Sequence, residues 1–414
     1  MESYDVYNVR GAYTSLSDGW TYLNAHDRPQ IPERVAGAVA RSFRTAASAT
    51  RPEVTFGHHA QSAPLGMPEA DSYIQSARLA VADLVGGRPE AVVLGPSLPV
   101  LYSSLARACV PMLRRSSVVL SRLDAPELSA PFSTIGDDVR WAVPDLGTGE
   151  LPAWQYRDLV DGSTRLVAIP AAHGLIGTVT PVAEIAEEVR ALSRAWVLVD
   201  ASAYAPYRPI SIRDWGVDIV AVDLAQLGGP EIAAIVFRDP LMFKRLDRVN
   251  FAPGIPSDSA ATLETRVSPG LAGGAAPIVD HLASLTPSSG TRRHQLENSM
   301  SALQAHLDSL RDDLYLFLGS LPSVHILGVS GEAAADADRS NRLPRASFAV
   351  RGVDAETVYR RLLDNNLLTT ITPRTDLLAD MGIEEVGGTV TVGLSPFTTS
   401  VDLDHLVRVV ASLA

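Results

Sequence analysis

Residues 163–230 read STRLVAIPAAHGLIGTVTPVAEIAEEVRALSRAWVLVDASAYAPYRPISIRDWGVDIVAVDLAQLGGP, and three short apolar runs within them decide the fold. The runs RLVAIP (165–170), WVLVD (196–200) and DIVAVD (218–223) are rich in β-branched residues and stop at turn-forming positions. Continuous apolar runs of this length predict strands covered on both faces, as in a parallel sheet. Between the first two, residues 182–194 repeat apolar positions at three- and four-residue spacing, which predicts a helix with one buried face. Outward from this stretch, AVVLG (91–95), SVVLS (117–121), VRWAV (139–143) and IAAIVF (232–237) continue the strand series, with helical spacing over 73–86, 98–112 and 152–160. Strands alternating with helices predict an α/β fold, a mostly parallel central sheet flanked by helices. After LTPSSGTRR (285–293) the pattern changes. A long helix over 291–320 is followed by strand, helix, strand and helix, which predicts a smaller α+β domain.

Composition narrows the function classes. A chain of 414 residues, 46% of them hydrophobic, can bury one large core and a second smaller one. Its net charge of −12 creates no field that draws it to phosphate backbones or anionic lipid, so neither nucleic acid nor a membrane is an expected partner. The sequence has no run of ~18 apolar residues and no cationic leader, which predicts a cytoplasmic location. Cys109 is the only cysteine and falls in an apolar helical run, so it reads as an inert core thiol. No disulfide and no multi-cysteine metal site are expected. His58 and His59 are neighbours on an extended segment and point to opposite faces, so they predict no metal site. Of the 35 basic residues one is lysine, Lys244 in DPLMFKRLDRV (239–249), which reads as the exposed face of a short amphipathic helix.

The stretch 163–230 resembles the class V aminotransferases of fold-type I, and most closely their cysteine desulfurase-like branch. The likeness extends to GWTYLNAHDRPQIPERV (19–35), similar to the loop at the mouth of the family's site, and to ATLETRVSPGLAGG (261–274) and VGGTVTVGLSPFTTSVDLDHLVRVV (386–410). It implies a large pyridoxal-phosphate domain over residues 16–284, a small domain formed by residues 1–15 and 285–414, and a homodimer with its sites at the subunit interface.

The resemblance also implies what should stand at each site position, and the sequence departs from it repeatedly. The family holds its cofactor through a lysine; Gln226 stands at that position, and its amide is neither basic nor able to bond an aldehyde. Asp223 replaces a phosphate-binding serine. A carboxylate ~4 Å from a phosphate costs roughly 4 kcal/mol per unit charge pair at an effective dielectric near 20. Ala125 stands where a ring stacks on the pyridine, Gly174 where an asparagine approaches the phenolic oxygen, and Ala203 where a glutamine follows the aspartate. Thr391 replaces the arginine that clamps the substrate carboxylate. Pro99 and Val100 supply no side-chain donors to the loop after the first strand. Asp200 retains the position that pairs with the pyridine nitrogen, and Arg266 is a possible anion contact from the neighbouring subunit.

These readings predict a chain with no cofactor and no covalent attachment of pyridoxal phosphate. It is expected to be a non-catalytic dimeric binding or scaffold protein for an unknown small ligand or protein partner. The alternative is an enzyme with residual or altered activity on amino acids, of desulfurase, lyase or aminotransferase type, with pyridoxal phosphate held noncovalently or not at all. His173, at a strand end beside the site, is the candidate acid or base. His26, Asp27 and Arg28 are expected to form a salt-bridged lid over the cavity.

Overall fold

The computed structural model describes residues 4–14, 18–49, 68–329 and 341–413. His58 and His59 lie outside the described residues. In chain order the strands are β1 (Thr21–Tyr22), β2 (Val92–Gly95), β3 (Ser117–Ser121), β4 (Asp138–Ala142), β5 (Thr164–Pro170), β6 (Trp196–Asp200), β7 (Ile219–Asp223) and β8 (Ala233–Phe237). They continue with β9 (Val324–Ile326), β10 (Arg345–Val350), β11 (Leu367–Leu368), β12 (Thr370–Ile371) and β13 (Val390–Gly393). A seven-stranded sheet has the order β2-β8-β7-β6-β5-β3-β4. All its pairings are parallel except the two made by β8. A four-stranded antiparallel sheet runs β12-β13-β10-β9, and β1 pairs with β11.

Alternation along the central strands sends successive side chains to two separate cores. Val167, Ile169, Val197, Val199, Val220 and Val222 join one face. Leu166, Ala168, Leu198, Ile219 and Ala221 join the other. Both faces are covered by helices, which is why these strands carry no polar alternation. Cys109 is buried in the second core, where desolvation pushes its thiol up to about 12.

The long helix Arg292–Gly319 begins at Thr291, whose hydroxyl accepts the His294 N–H. Leu296, Met300, Leu303, Leu307, Leu310 and Leu314 keep one face buried along its length. The segment 152–160 is shorter than its spacing predicts: a 3-10 turn Ala153–Gln155 leads into one helical turn, Tyr156–Leu159. Val160 is extended, and the Asp161 carboxylate draws in the Ser163 N–H at 2.7 Å, so a local turn replaces further helix.

The two sheets are stitched together beside the carboxyl ends of the parallel strands. The Leu343 N–H donates to the Gly177 carbonyl at 2.7 Å, and Val179 donates to Asn341 at 2.7 Å. Asn24 bridges to Gly393, which carries the segment after β1 onto the end of β13. Open sheets place ligands at this edge, and here it is covered by residues from both parts of the chain.

Candidate functional site

The strand register aligns the candidate residues in a row. Pro170 lies opposite Asp200, and Asp200 opposite Ala221. Asp223 lies opposite Ala233, itself opposite Gly95. After β7 the chain makes a 3-10 turn, Leu224–Leu227, capped by Gly228 at φ +80°, a conformation that favours glycine. This turn presents Gln226 to a small cavity of about 20 Å³ that Ala25, Tyr207, Leu394, Ser395 and Phe397 also line.

Two aspartates stand under the turn. Asp200 accepts the Ser202 N–H at 2.9 Å and the Ser202 hydroxyl at 2.6 Å, and the Ser202 Oγ accepts the Asp223 N–H at 3.0 Å. Burial raises the Asp200 carboxyl above its ordinary range, against the lowering effect of Ser202. Asp223 caps the 3-10 turn through the Ala225 N–H at 3.0 Å. Desolvation, helped by the charges of Asp200 and Glu231, pushes its carboxyl up to about 6. Asp124, which follows β3, is raised further by burial and by Asp200. The residues at the sheet edge therefore form an acidic floor.

That floor gives a pH-dependent cost. The folded chain holds the Asp223 proton between about pH 4 and pH 6, where the unfolded chain has lost it, so stability falls as pH rises through that window. The full effect above the window is about 2–3 kcal/mol. Asp223→Asn keeps an oxygen for the Ala225 N–H. It is expected to be more stable than the parent by about that amount at pH 7.5 and equal near pH 4, as read by urea unfolding at both pH values.

Two buried histidines, His173 and His26, both feel the charge of Arg345. His173 is buried, and its Nδ1 accepts the N–H groups of Leu175 and Ile176, each at 3.2 Å. Burial, then Arg345 and Arg342, lowers it to about 4, so the ring is neutral near pH 7 and Nε2 carries the proton. Its basic nitrogen is occupied in holding the turn. His26 is 7% exposed, and neither ring nitrogen has a hydrogen-bond partner. Its imidazole reaches β13 because Gly393 has no side chain: a Cβ there would lie 2.7 Å from His26 Nδ1. The salt-bridged lid takes a different form, with His26 buried and unpaired while Asp27 and Arg28 are exposed and 3.8 Å apart.

The remaining expected positions scatter. Ala125 is exposed at the start of the helix Pro126–Ser133. Arg266 is exposed before the short helix Pro269–Ala272 and does not line the Gln226 cavity within this chain. Thr391 is buried in a hydroxyl network with Ser347 at 2.7 Å and Thr372 at 2.8 Å. Gly174 and Ala203 contribute through their backbones: both carbonyls accept from the guanidinium of Arg345.

Arg345, which sequence reasoning missed, opens β10 and is 2% exposed. It is paired across the sheet with Gly393, and therefore projects on the same face as Ser347 and Thr391. Its guanidinium lies 4.9 Å from the ring centre of Tyr207. A charged residue in a strand buried at all six positions is the signal that would have found it.

Lys244 lies elsewhere. Because β8 is antiparallel to β7, Phe237 at its end pairs with Ile219 at the start of β7. The chain then passes into the 3-10 segment Pro240–Arg245, where the Arg245 guanidinium lies 5.3 Å from the ring of Trp196, the first residue of β6. Lys244 is therefore at the edge where the parallel strands begin, with its side chain 59% exposed and its ammonium 4.0 Å from Asp258. A five-residue strand spans roughly 17 Å, and that sheet depth separates Lys244 from Gln226.

Comparison with known proteins adds the family. Residues 58–406 match the family described as Aminotransferase class-V. The chain belongs to the class V aminotransferase family. Similar proteins include Uncharacterized protein MT3887 of Mycobacterium tuberculosis (strain CDC 1551 / Oshkosh), 39% identical over 99% of this chain and 100% of the relative. A probable cysteine desulfurase of Aeropyrum pernix is 27% identical over 56% of this chain and 55% of its own. Among solved structures, an apo cysteine desulfurase from Thermococcus onnurineus NA1 superposes with a TM-score of 0.79 at 15% identity, covering 100% of this chain and 99% of the other. That likeness confirms the fold-type I architecture, with its mostly parallel central sheet flanked by helices.

Membership in the class V aminotransferase family overturns one expectation, that of no cofactor. Class V aminotransferases and cysteine desulfurases depend on pyridoxal phosphate, which is therefore the group the family implies for this pocket. The residues present fit it at one end only. Asp200 suits a protonated ring nitrogen. At the other end Asp223 opposes a phosphate, and Gln226 offers an amide where an amine is needed for attachment. No described helix is long and apolar enough to cross a membrane.

Proposed function

We propose that this member of the class V aminotransferase family is a dimeric binding protein without lysine-based catalysis. The carrying observation is the separation of the sequence's single lysine from the cavity that Gln226 lines. Catalysis by the family's route needs an amine that bonds the cofactor and then moves protons, and the cavity supplies an amide in its place. The His173 acceptor nitrogen is already committed to backbone N–H groups. The dimer part of the proposal rests on the family resemblance and is checked by light scattering of the purified chain.

The test is incubation with pyridoxal phosphate, reduction with borohydride and peptide mapping. The expected result is that the peptide carrying Gln226 stays unmodified, because an amide forms no imine with an aldehyde. A stoichiometric adduct on Lys244, together with turnover of an amino acid, would end the proposal. A second reading, an enzyme with altered activity on amino acids, draws on Asp200 at the end of β6 beside the His173 turn. Release of sulfide from cysteine, or of a keto acid from other amino acids, that is lost on Asp200→Asn would favour it.

A further inference from the structure

We propose that a recess at the edge where the parallel strands begin binds the phosphate group of a small phosphorylated ligand. This goes beyond the binding reading above, because the sheet separates the recess from the Gln226 cavity. Its volume is about 390 Å³, and Arg190, Arg194, Arg238 and Arg245 line it together with Asp218 and Trp196. The topology explains the meeting. Trp196 begins β6, Asp218 immediately precedes β7, and Arg238 follows the last residue of β8, which runs antiparallel to β7. Arg190 and Arg194 come from the end of the helix Val182–Leu192 and the loop after it. The chain as a whole carries 47 acidic residues against 35 basic ones, so four guanidiniums lining one recess with a single carboxylate run against its average.

The one carboxylate is already committed. Asp218 is 2% exposed and accepts the Val197 N–H at 2.9 Å, and its two oxygens lie 3.1 Å from Arg190 and 2.9 Å from Arg238. Arg190 also donates to the Gly216 carbonyl at 3.0 Å, so both guanidiniums are held in place with N–H groups to spare. Arg245 lies over the Trp196 ring, which attracts its charge and takes none of its N–H groups, and no carboxylate among the described residues pairs with it. Arg194 is exposed and has neither a hydrogen bond nor an ion pair among the described residues. Four guanidiniums against one carboxylate leave an excess of three positive charges, reduced by about half a charge from the carbonyl end of the helix. A phosphate monoester carries about −1.5 to −2 near pH 7 and accepts through three oxygens, whereas a carboxylate leaves most of the excess standing. Screening over about 8 Å at physiological salt lets this local excess act despite the net charge of −12. The volume falls within the range of small-molecule pockets, about 300–1,000 Å³, and leaves room for the group the phosphate esterifies.

The experiment uses the full chain and two probes, sodium phosphate and adenosine monophosphate, with adenosine as the uncharged control and sodium chloride at equal ionic strength. Calorimetric titration and thermal unfolding should show saturable binding of at least one phosphate probe and none of adenosine. Equal affinity for the two probes identifies the phosphate alone as what is held, and tighter binding of adenosine monophosphate identifies a phosphate ester; both uphold the proposal. Arg194→Gln and Arg245→Gln remove guanidiniums without a carboxylate partner, and each should weaken binding by about tenfold. Arg374→Gln, at an exposed arginine paired with Glu384 in the small domain, should leave the affinity unchanged. Absence of saturable binding of both probes, binding of adenosine as tight as that of its monophosphate, or unchanged affinity in Arg194→Gln overturns the proposal. An equal loss in Arg374→Gln also overturns it, because the effect is then one of overall charge. Should Arg245→Gln fail to fold for want of its contact with Trp196, Arg194→Gln decides alone.

Discussion

Gln226→Lys is expected to place an amine at residue 226 and so to carry, after incubation with pyridoxal phosphate and borohydride, a pyridoxyl group fixed on that residue. The turn Leu224–Leu227 already presents this side chain to the cavity, and the Gly228 cap holds the turn in place. An amine in that position loses hydration, which favours its neutral, nucleophilic form, while Asp223 and Asp200 pull the other way. A phosphate bound within ~4 Å of the Asp223 carboxylate would meet a repulsion of roughly 4 kcal/mol at an effective dielectric near 20. The double variant Gln226→Lys, Asp223→Ser should therefore take up the cofactor more tightly than Gln226→Lys alone. Peptide mapping by mass spectrometry reads the site, and absorbance titration reads the affinity. Failure of both variants to form an adduct at residue 226 would mean that the turn does not direct this position at the ligand.

Phe237→Ala is expected to lower the unfolding free energy by about 3–5 kcal/mol, the range for emptying an aromatic side chain from a packed core. Phe237 is 0% exposed at the end of β8, with ring centres 4.7 Å from Phe243 and 6.4 Å from Trp196. Phe243 belongs to the 3-10 segment that carries Lys244, so this cluster fixes the lysine at the strand-start edge. Chemical denaturation monitored by circular dichroism gives the value. A loss under about 1 kcal/mol would show that the pocket collapses onto the smaller side chain. Even with the segment loosened, Lys244 should gain no pyridoxyl group by way of the Gln226 cavity, because the sheet lies between them.

Much of the fold was legible in local pattern. The apolar runs ending at Pro170, Asp200 and Asp223 announced strands, and their order announced a layered α/β sheet. The segment 152–160 misled because its helical spacing ignored the turn at Asp161, whose carboxylate competes for backbone N–H groups. The candidate site was legible where it follows a strand end, at Asp200, Asp223 and Gln226. It was not legible at Arg345, which is 119 residues beyond Gln226 by the difference of their numbers and belongs to another sheet.

The sequence by itself determined the periodicities, the family membership and the presence of a single lysine, because each is a property of residues read in order. Only the tertiary structure decided that Lys244 faces away from the cavity, since that depends on β8 running antiparallel to β7. Only packing brought Arg345 over Tyr207, between the carbonyls of Gly174 and Ala203. Strand periodicity says which side of a sheet a side chain takes, whereas a meeting of groups from distant segments is set by how the two sheets dock.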